Sequence, residues 1–363
     1  MTSTVDAPVP ARRRGFRPLR VAAVDPLCED AAAVTFEVPP ELAAEFAFRP
    51  GQSLALRRTG PDGEQRRSYS ICAAAGDRPR IGVRVVPGGL FSSWLVHEVR
   101  PGDVIDVLPP SGSFTPDLGS GGQHVLIAAG SGITPLLSIA ASLLRETTSE
   151  VVLVYGNRRS DTVMFADELA DLKDRYPARL DLVHVLSREP REAELLSGRL
   201  DPDRLRALLG TLVPVDETAH WWLCGPHGLV DGAREVLAGL GIDPARVHRE
   251  LFHVDEPPPE PVRAEDAPPP GARSEVTLVL DGRTSALSLA RDVPVLDGAQ
   301  RSRPDLPFAC KGGVCGTCRA KVTAGEVVLR RNFALEQAEL DAGYVLTCQS
   351  LPVTDQLTVD FDG

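Results

Sequence analysis

Four cysteines toward the C-terminal end constrain this chain more than any other feature. In CKGGVCGTC, Cys310, Cys315 and Cys318 are separated by four and then two residues, and Cys348 follows about thirty positions later in YVLTCQS. The pattern C-x4-C-x2-C…C is a spacing that holds a [2Fe-2S] cluster on four thiolates. Gly312, Gly313 and Gly316 suit it, because residues that take positive φ let backbone N–H groups turn toward sulfur. Two other uses of the same residues stand beside this one. A structural zinc site more often shows paired CxxC knuckles, and disulfides need an oxidising compartment. Only one CxxC pair is present. A cluster of this type works near about −400 mV and passes electrons singly, so its chain or its partner must deliver them singly.

A length of 363 residues is enough for three domains. With 43% hydrophobic and 25% charged residues the chain has material for ordinary globular cores. The formal net charge of −11 argues against nucleic acid as a partner. Arg12, Arg13 and Arg14 form a basic run with no apolar stretch behind it, and no later segment reaches membrane-spanning length. Residues 1–15 therefore read as a disordered lead, and no membrane partner is expected. Cys28, Cys72 and Cys224 fall in no pairing motif, as in a compartment that keeps thiols reduced. The expected location is the cytoplasm.

From 16 to 118 the chain is a series of short β-like runs, LRVAAVD, AAVTFEVP, SLALRRT, RRSYSICAA, RIGVRVVP and VIDVLPPSGSF, divided by Pro, Gly and Asp. This predicts an antiparallel β-barrel with one helix near LFSSWLVHEV. Arg67 and Tyr69 share a strand face, and Ser70 follows. An arginine fork suits a pyrophosphate and a tyrosine face suits a flat heteroaromatic ring. Taken alone, these residues equally describe a half-buried strand. Arg84 followed by Pro87, Gly88, Gly89, Leu90, Phe91 and Ser92 adds a glycine pair that runs into a helix start, a ready anion site. Together the two segments outline a site for a flavin dinucleotide.

From 119 to 256 strands and helices alternate. HVLIAA, VVLVYG, LDLVHVLS, HWWLCG and RVHREL read as buried strands, with helices at TPLLSIAASLLRE and FADELADLKDRY. Such alternation predicts an α/β fold with a parallel sheet. Its first turn, Gly130, Ser131, Gly132, Ile133, Thr134, Pro135, lies between a strand and a helix, where glycines let backbone approach a phosphate. A simple tight turn is the other reading, since the third glycine of the dinucleotide fingerprint is missing. His97, His124, His184, His220, His227, His248 and His253 show no ligand spacing and read as structural or surface residues.

Residues 257–273, within DEPPPEPVRAEDAPPPGARS, carry two proline triplets among acids and predict a semi-extended linker. From 274 to 363, EVTLVLDGRTSALSLA predicts a hairpin, VPVLDGAQR a short helix, AKVTAGEVVL a hairpin after the cluster loop, and DQLTVDF a last strand. That layout is the α+β β-grasp of plant-type ferredoxins.

RRSYS and VRVVPGGLFS resemble the flavin-binding barrel of the ferredoxin-NADP reductase superfamily, and GSGITP and CGP resemble its nucleotide domain. The resemblance implies FAD, with Arg67 at its pyrophosphate, Tyr69 against the flavin or its ribityl chain and Ser70 near the reactive ring nitrogen. It sets Arg84, Gly89 and Ser92 in a second phosphate-side segment, with Arg84 where many relatives carry lysine. Gly130, Gly132, Thr134 and Pro135, with Cys224, Gly225 and Pro226, would bind the coenzyme. Thr134 and Cys224 would flank the nicotinamide. Ser187 and Arg188 after the third strand, with Arg158 and Arg159 nearby, suit a 2′-phosphate, and no acid ends the second strand to hold a free ribose. NADPH is expected rather than NADH.

The wording FRPGQSL, AAGSGITPLL, YGNRRS and DLPFACKGGVCGTCRAKV further resembles the reductase components of phenylacetyl-CoA ring epoxidases. That family implies a carboxylate-bridged di-iron oxygenase as partner. Electrons would pass from NADPH to FAD, which can release them singly, and then to the cluster. Lys311, Arg319, Lys321, Arg330 and Arg331 would give the cluster rim a basic edge for docking. A reductase for a Rieske-type or steroid hydroxylase shares every cofactor motif, and a redox sensor or a cluster-free flavin reductase are further alternatives.

Overall fold

The structure, a computed structural model, describes residues 15–60, 63–119, 121–252 and 271–363. The lead, except Gly15, and the linker as far as residue 270 lie outside the described residues. The described residues form two compact units, one of residues 17–252 with Val314–Thr317 and the other of residues 271–313 and 318–363.

The first unit opens with six antiparallel strands: β1 (Arg17–Cys28), β2 (Ala31–Glu37), β3 (Ser53–Gly60), β4 (Gly63–Ser70), β5 (Arg80–Arg84) and β6 (Val104–Val107). Their order is β4-β3-β6-β1-β2-β5, and a bridge from Ile71 to Ile81 joins the two outer strands. The sheet therefore closes on itself as the alternating pattern predicts. Leu19, Val21, Val34, Phe36, Leu54, Leu56 and Ile81 point inward and are fully buried. Each such side chain contributes roughly 1.5–3 kcal/mol of hydrophobic stabilisation. Helix α1 (Leu90–His97) covers one side of this core with Phe91 and Leu95.

The same unit continues with a parallel sheet of β7 (Gln123–Ala129), β8 (Glu150–Asn157), β9 (Leu180–Leu186), β10 (Thr218–Gly225) and β11 (Val247–Leu251), in the order β11-β10-β7-β8-β9. Helices α2 (Ile133–Glu146), α3 (Ala166–Arg175), α4 (Pro202–Leu212) and α5 (His227–Gly239) make the crossovers. Strand order reverses between β7 and β10, and in open α/β sheets ligands bind beyond the carboxyl ends at such a point. The central strands are apolar runs because both faces are covered. By contrast β11, expected to be buried, is an edge strand that is mostly half-buried.

Polar contacts clamp barrel and sheet together. Ser138 donates to the Ala73 carbonyl at 2.6 Å, the Ala75 N–H donates to Ser142 Oγ at 2.9 Å, and Phe114 packs edge-on against Trp222 at 5.2 Å. At the amino end of the sheet His124, His220 and His248 gather around Trp222, whose indole N–H donates to His124 Nδ1 at 3.2 Å. These three are structural in placement. His253 lies outside the described residues.

The second unit contains β12 (Arg273–Leu280), β13 (Arg283–Ala290), α6 (Val295–Ala299), β14 (Arg319–Ala324), β15 (Val327–Leu329), α7 (Gln337–Asp341), β16 (Tyr344–Leu346), β17 (Ser350–Pro352) and β18 (Gln356–Asp360). Its mixed sheet runs β13-β12-β18-β14-β16, with first and last strands parallel and α6 packed beside it. Residue 273, expected in the linker, already opens β12. One expectation fails: AKVTAGEVVL is not a hairpin, because β14 pairs with β16 and β18 while β15 pairs with β17. The cause is Gly325. Its φ of +79° turns the chain, and a Cβ there would stand 2.2 Å from the Gln356 carbonyl oxygen. The turn is thus pressed onto the start of β18, and β15 leaves the sheet instead of folding back along β14.

Candidate functional site

Residues singled out in the sequence meet near the switch point. Ser70 ends β4, is 4% exposed, and donates its hydroxyl proton to Glu250 Oε2 at 2.9 Å. Glu250 sits on β11 in register with Cys224 at the end of β10. The GSG turn lies directly against the latter, since a Cβ on Gly132 would stand 2.2 Å from the Cys224 carbonyl oxygen. Any other residue would push the turn off the strand. Thr134 donates to the Ser131 carbonyl at 3.0 Å, and its methyl packs on Gly82 of β5. The GSGITP turn and the Cys224–Gly225 end of β10 are therefore packed directly against each other, with Ser70 tied through Glu250 to the neighbouring strand.

No sequence motif marks Glu250. Desolvation pushes its carboxyl up to about 7, an effect the Ser70 hydrogen bond partly offsets. Burial, and then the Glu250 charge, hold the Cys224 thiol well above its ordinary range. A carboxyl poised near neutral pH can hold or yield a proton.

On the barrel side Tyr69 is half-buried against Phe91 at 6.1 Å, and Phe91 meets Trp94 edge-on at 5.4 Å. Burial pushes the Tyr69 phenol up and Arg67 pulls it back, so the two share the strand face read from the sequence. Arg67 is exposed and donates to the Arg66 carbonyl at 2.7 Å. Ser92 accepts from the Val86 N–H at 3.0 Å and donates to the Gly89 carbonyl at 3.2 Å, folding the PGG turn back on the start of α1. No side chain caps that helix, so its first-turn N–H groups have no capping acceptor.

Arg84 is placed differently from Gly89 and Ser92, the residues it neighbours in the sequence motif. Its guanidinium binds Asp30 at 3.1 Å and the Thr162 carbonyl at 2.5 Å, and Nη1 lies 3.4 Å from where a Cβ on Gly130 would be. It stands beside the coenzyme turn. Beyond β8 and β9 the parallel pairing continues through Ser187 N–H to the Asn157 carbonyl, 2.9 Å, and Arg188 N–H to the Arg158 carbonyl, 2.8 Å. Arg158 and Arg188 are thus exposed neighbours at the carboxyl edge. Arg159 is instead paired with Asp161 at 2.7 Å.

None of the seven cysteines is in a disulfide. Cys318 and Cys348 are buried in the second unit. A hydrogen bond with Cys318 leads the influences that hold the Cys348 thiol below its usual range, and the Gly313 backbone and Gln349 add to it. The Gly312 N–H donates to Cys310 Sγ at 3.3 Å. Left-handed φ values in the loop belong to Lys311, Gly313 and Gly316, so Lys311 takes the conformation expected of Gly312. Cys315 donates to Thr317 Oγ1 at 3.2 Å. Among the described residues no three His, Cys, Asp or Glu side chains converge on one point. Cys318 meets Cys348, and N–H donors from Gly312 and Gln349 reach Cys310 and Cys348, hydrogen bonds of the kind that cluster sulfurs need. On the rim, Lys311 is paired with Asp297 at 2.8 Å and Arg319 with Glu339 at 2.8 Å, which reduces the basic edge read from the sequence. No helix among the described residues is long and apolar enough to cross a membrane.

Three family profiles match the chain: an oxidoreductase FAD-binding domain over residues 18–115, an oxidoreductase NAD-binding domain over 126–235 and a 2Fe-2S iron-sulfur cluster binding domain over 278–353. The chain is 41% identical, over 96% of its length and 98% of that protein, to a component of the 1,2-phenylacetyl-CoA epoxidase of Escherichia coli. The chain belongs to the ferredoxin-NADP reductase-like family of oxygenase reductases. This reductase is also 36% identical, over 94% of its length and 96% of the other, to the ferredoxin reductase component of 3-ketosteroid-9-alpha-monooxygenase from Rhodococcus rhodochrous. Its fold matches phthalate dioxygenase reductase with a TM-score of 0.59 at 23% identity, over 96% of this chain and 98% of that one. The reductase is an NAD(P)H-dependent flavin iron-sulfur oxidoreductase.

Proposed function

We propose that this reductase takes electrons from NADPH and supplies them to the di-iron oxygenase component of a phenylacetyl-CoA epoxidase. The identity of 41% over 96% of the chain to the Escherichia coli epoxidase component carries this reading. When bound, FAD accepts a hydride and releases electrons singly, and the cluster relays them outward.

The residues divide the work. Arg67, Gly89 and the uncapped start of α1 would hold the FAD phosphates, Tyr69 would pack on its ring system, and Ser92 would keep the turn closed. Ser70, oriented by Glu250, would hold a proton at its hydroxyl beside the flavin. Gly130, Gly132, Pro135, Gly225 and Pro226 would admit the coenzyme backbone, with Arg84 beside its phosphates. Thr134 and Cys224 would confine the nicotinamide and exclude water. Arg158, Ser187 and Arg188 would meet the 2′-phosphate, which supports NADPH over NADH. Cys310, Cys315, Cys318 and Cys348 would ligate the cluster.

The test mixes the purified holoenzyme, NADPH and the di-iron oxygenase anaerobically, then admits air with phenylacetyl-CoA. Oxygenase reduction and epoxide formation are expected. Absence of oxygenase reduction, with efficient reduction of a ketosteroid monooxygenase component instead, would assign the other partner.

A further inference from the structure

Gln349, the residue after the last cluster cysteine, has no role in the reading above. It is 5% exposed, and its side-chain nitrogen reaches two acceptors, the Lys311 carbonyl at 2.8 Å and Cys348 Sγ at 3.8 Å. Neither of these can donate once Cys348 is a thiolate, so the amide must face them with its NH2 group. Its oxygen is then turned into the interior, where it is buried without a partner. Leaving a buried acceptor unpaired is costly, and such a group calls for a compensating role. The stem is held as well: Cγ lies 3.1 Å from where a Cβ on Gly313 would stand, so the aliphatic stem packs against the space that this glycine leaves open.

We propose that Gln349 is a positioning residue for the cluster. Its amide donates to the Cys348 thiolate, ties that ligand to the Lys311 turn, and raises the reduction potential of the centre. The inference rests on the [2Fe-2S] reading. The physical reason is charge: reduction adds one electron to the centre, and an N–H aimed at a ligand sulfur stabilises the more negative state. The electron arrives from NAD(P)H by way of the flavin. A higher potential makes that step more favourable and lowers the drive toward the acceptor.

The experiment is a mediated redox titration of the holoenzyme, followed by electron paramagnetic resonance and visible absorption, on wild type and Gln349→Leu. Leucine keeps the volume and removes the donor. A tenfold loss in the one-electron reduction equilibrium, which is about 59 mV toward more negative potential, is expected at the cluster. The flavin midpoint should not move, and a merely structural role predicts no shift at either centre. An unchanged cluster midpoint at full iron content overturns the inference alone. Wild type that carries no cluster overturns the reading beneath it as well. Because leucine could hinder cluster insertion, a second measurement uses wild type labelled with 15N only at glutamine side chains. Pulsed resonance of the dithionite-reduced protein should show a weak 15N coupling, and its absence overturns the proposal.

Discussion

Ser70 and Glu250 stand 180 positions apart in the chain, yet the serine hydroxyl donates to the glutamate carboxyl across 2.9 Å. This bond links the barrel to the edge strand of the parallel sheet. By the resemblance read in the sequence, this hydroxyl would lie near the reactive flavin nitrogen. Ser70→Ala should slow reduction of the bound flavin by NADPH roughly ten- to hundredfold, the equivalent of losing a hydrogen bond to a charged group, about 1.5–3 kcal/mol. Stopped-flow absorbance at the flavin band measures it, and the cluster bands should keep their wild-type form.

Glu250 also predicts a pH dependence of stability. Its carboxyl titrates near about 7 in the folded protein against an ordinary value of 4.5, chiefly because of desolvation. Folding therefore favours the protonated form. The stabilisation is fully present below about 4.5 and is lost as pH rises through about 7. Wild type should lose thermal stability between about pH 4.5 and about pH 7, more steeply than Glu250→Gln. Parallel slopes for the two proteins would remove the assignment.

Gly132→Ala forces a methyl to within 2.2 Å of the Cys224 carbonyl oxygen. Backbone cannot yield as a flexible side chain does, so a loss of about 1–3 kcal/mol in stability is expected. A raised KM for NADPH should accompany it, because the turn and the strand end move apart together. Unfolding curves and steady-state ferricyanide reduction check both effects.

Cys348→Ser removes a buried thiol that touches Cys318. The iron-sulfur bands should disappear while the flavin spectrum and NADPH-dependent ferricyanide reduction remain. Transfer to the oxygenase should fall to background. Retention of that transfer would mean that electrons leave from the flavin directly.

Much of this is legible in the sequence because it is local. The first three cysteines, the GSGITP turn and the RSYS strand each lie within a few residues, and the periodicity of strands and helices points to the architecture. Glu250 is invisible there for a different reason. Its partner Cys224 becomes a neighbour only once β11 adds to the sheet beside β10, and strand order is not written in any one stretch. Arg84 reads with the PGG turn that follows it, while its guanidinium reaches across to Gly130. The hairpin expected after the cluster loop fails because Gly325 packs on β18, a contact between segments about thirty residues apart.

The order of electron flow is tested most directly by mixing the oxidised holoenzyme with NADPH under argon and following both chromophores in time. The account predicts that the flavin band bleaches first, that iron-sulfur absorbance then falls, and that the frozen product shows the signal of a reduced [2Fe-2S] centre. Rapid bleaching of the flavin with a cluster that stays oxidised, or a protein containing zinc and no iron, would contradict it.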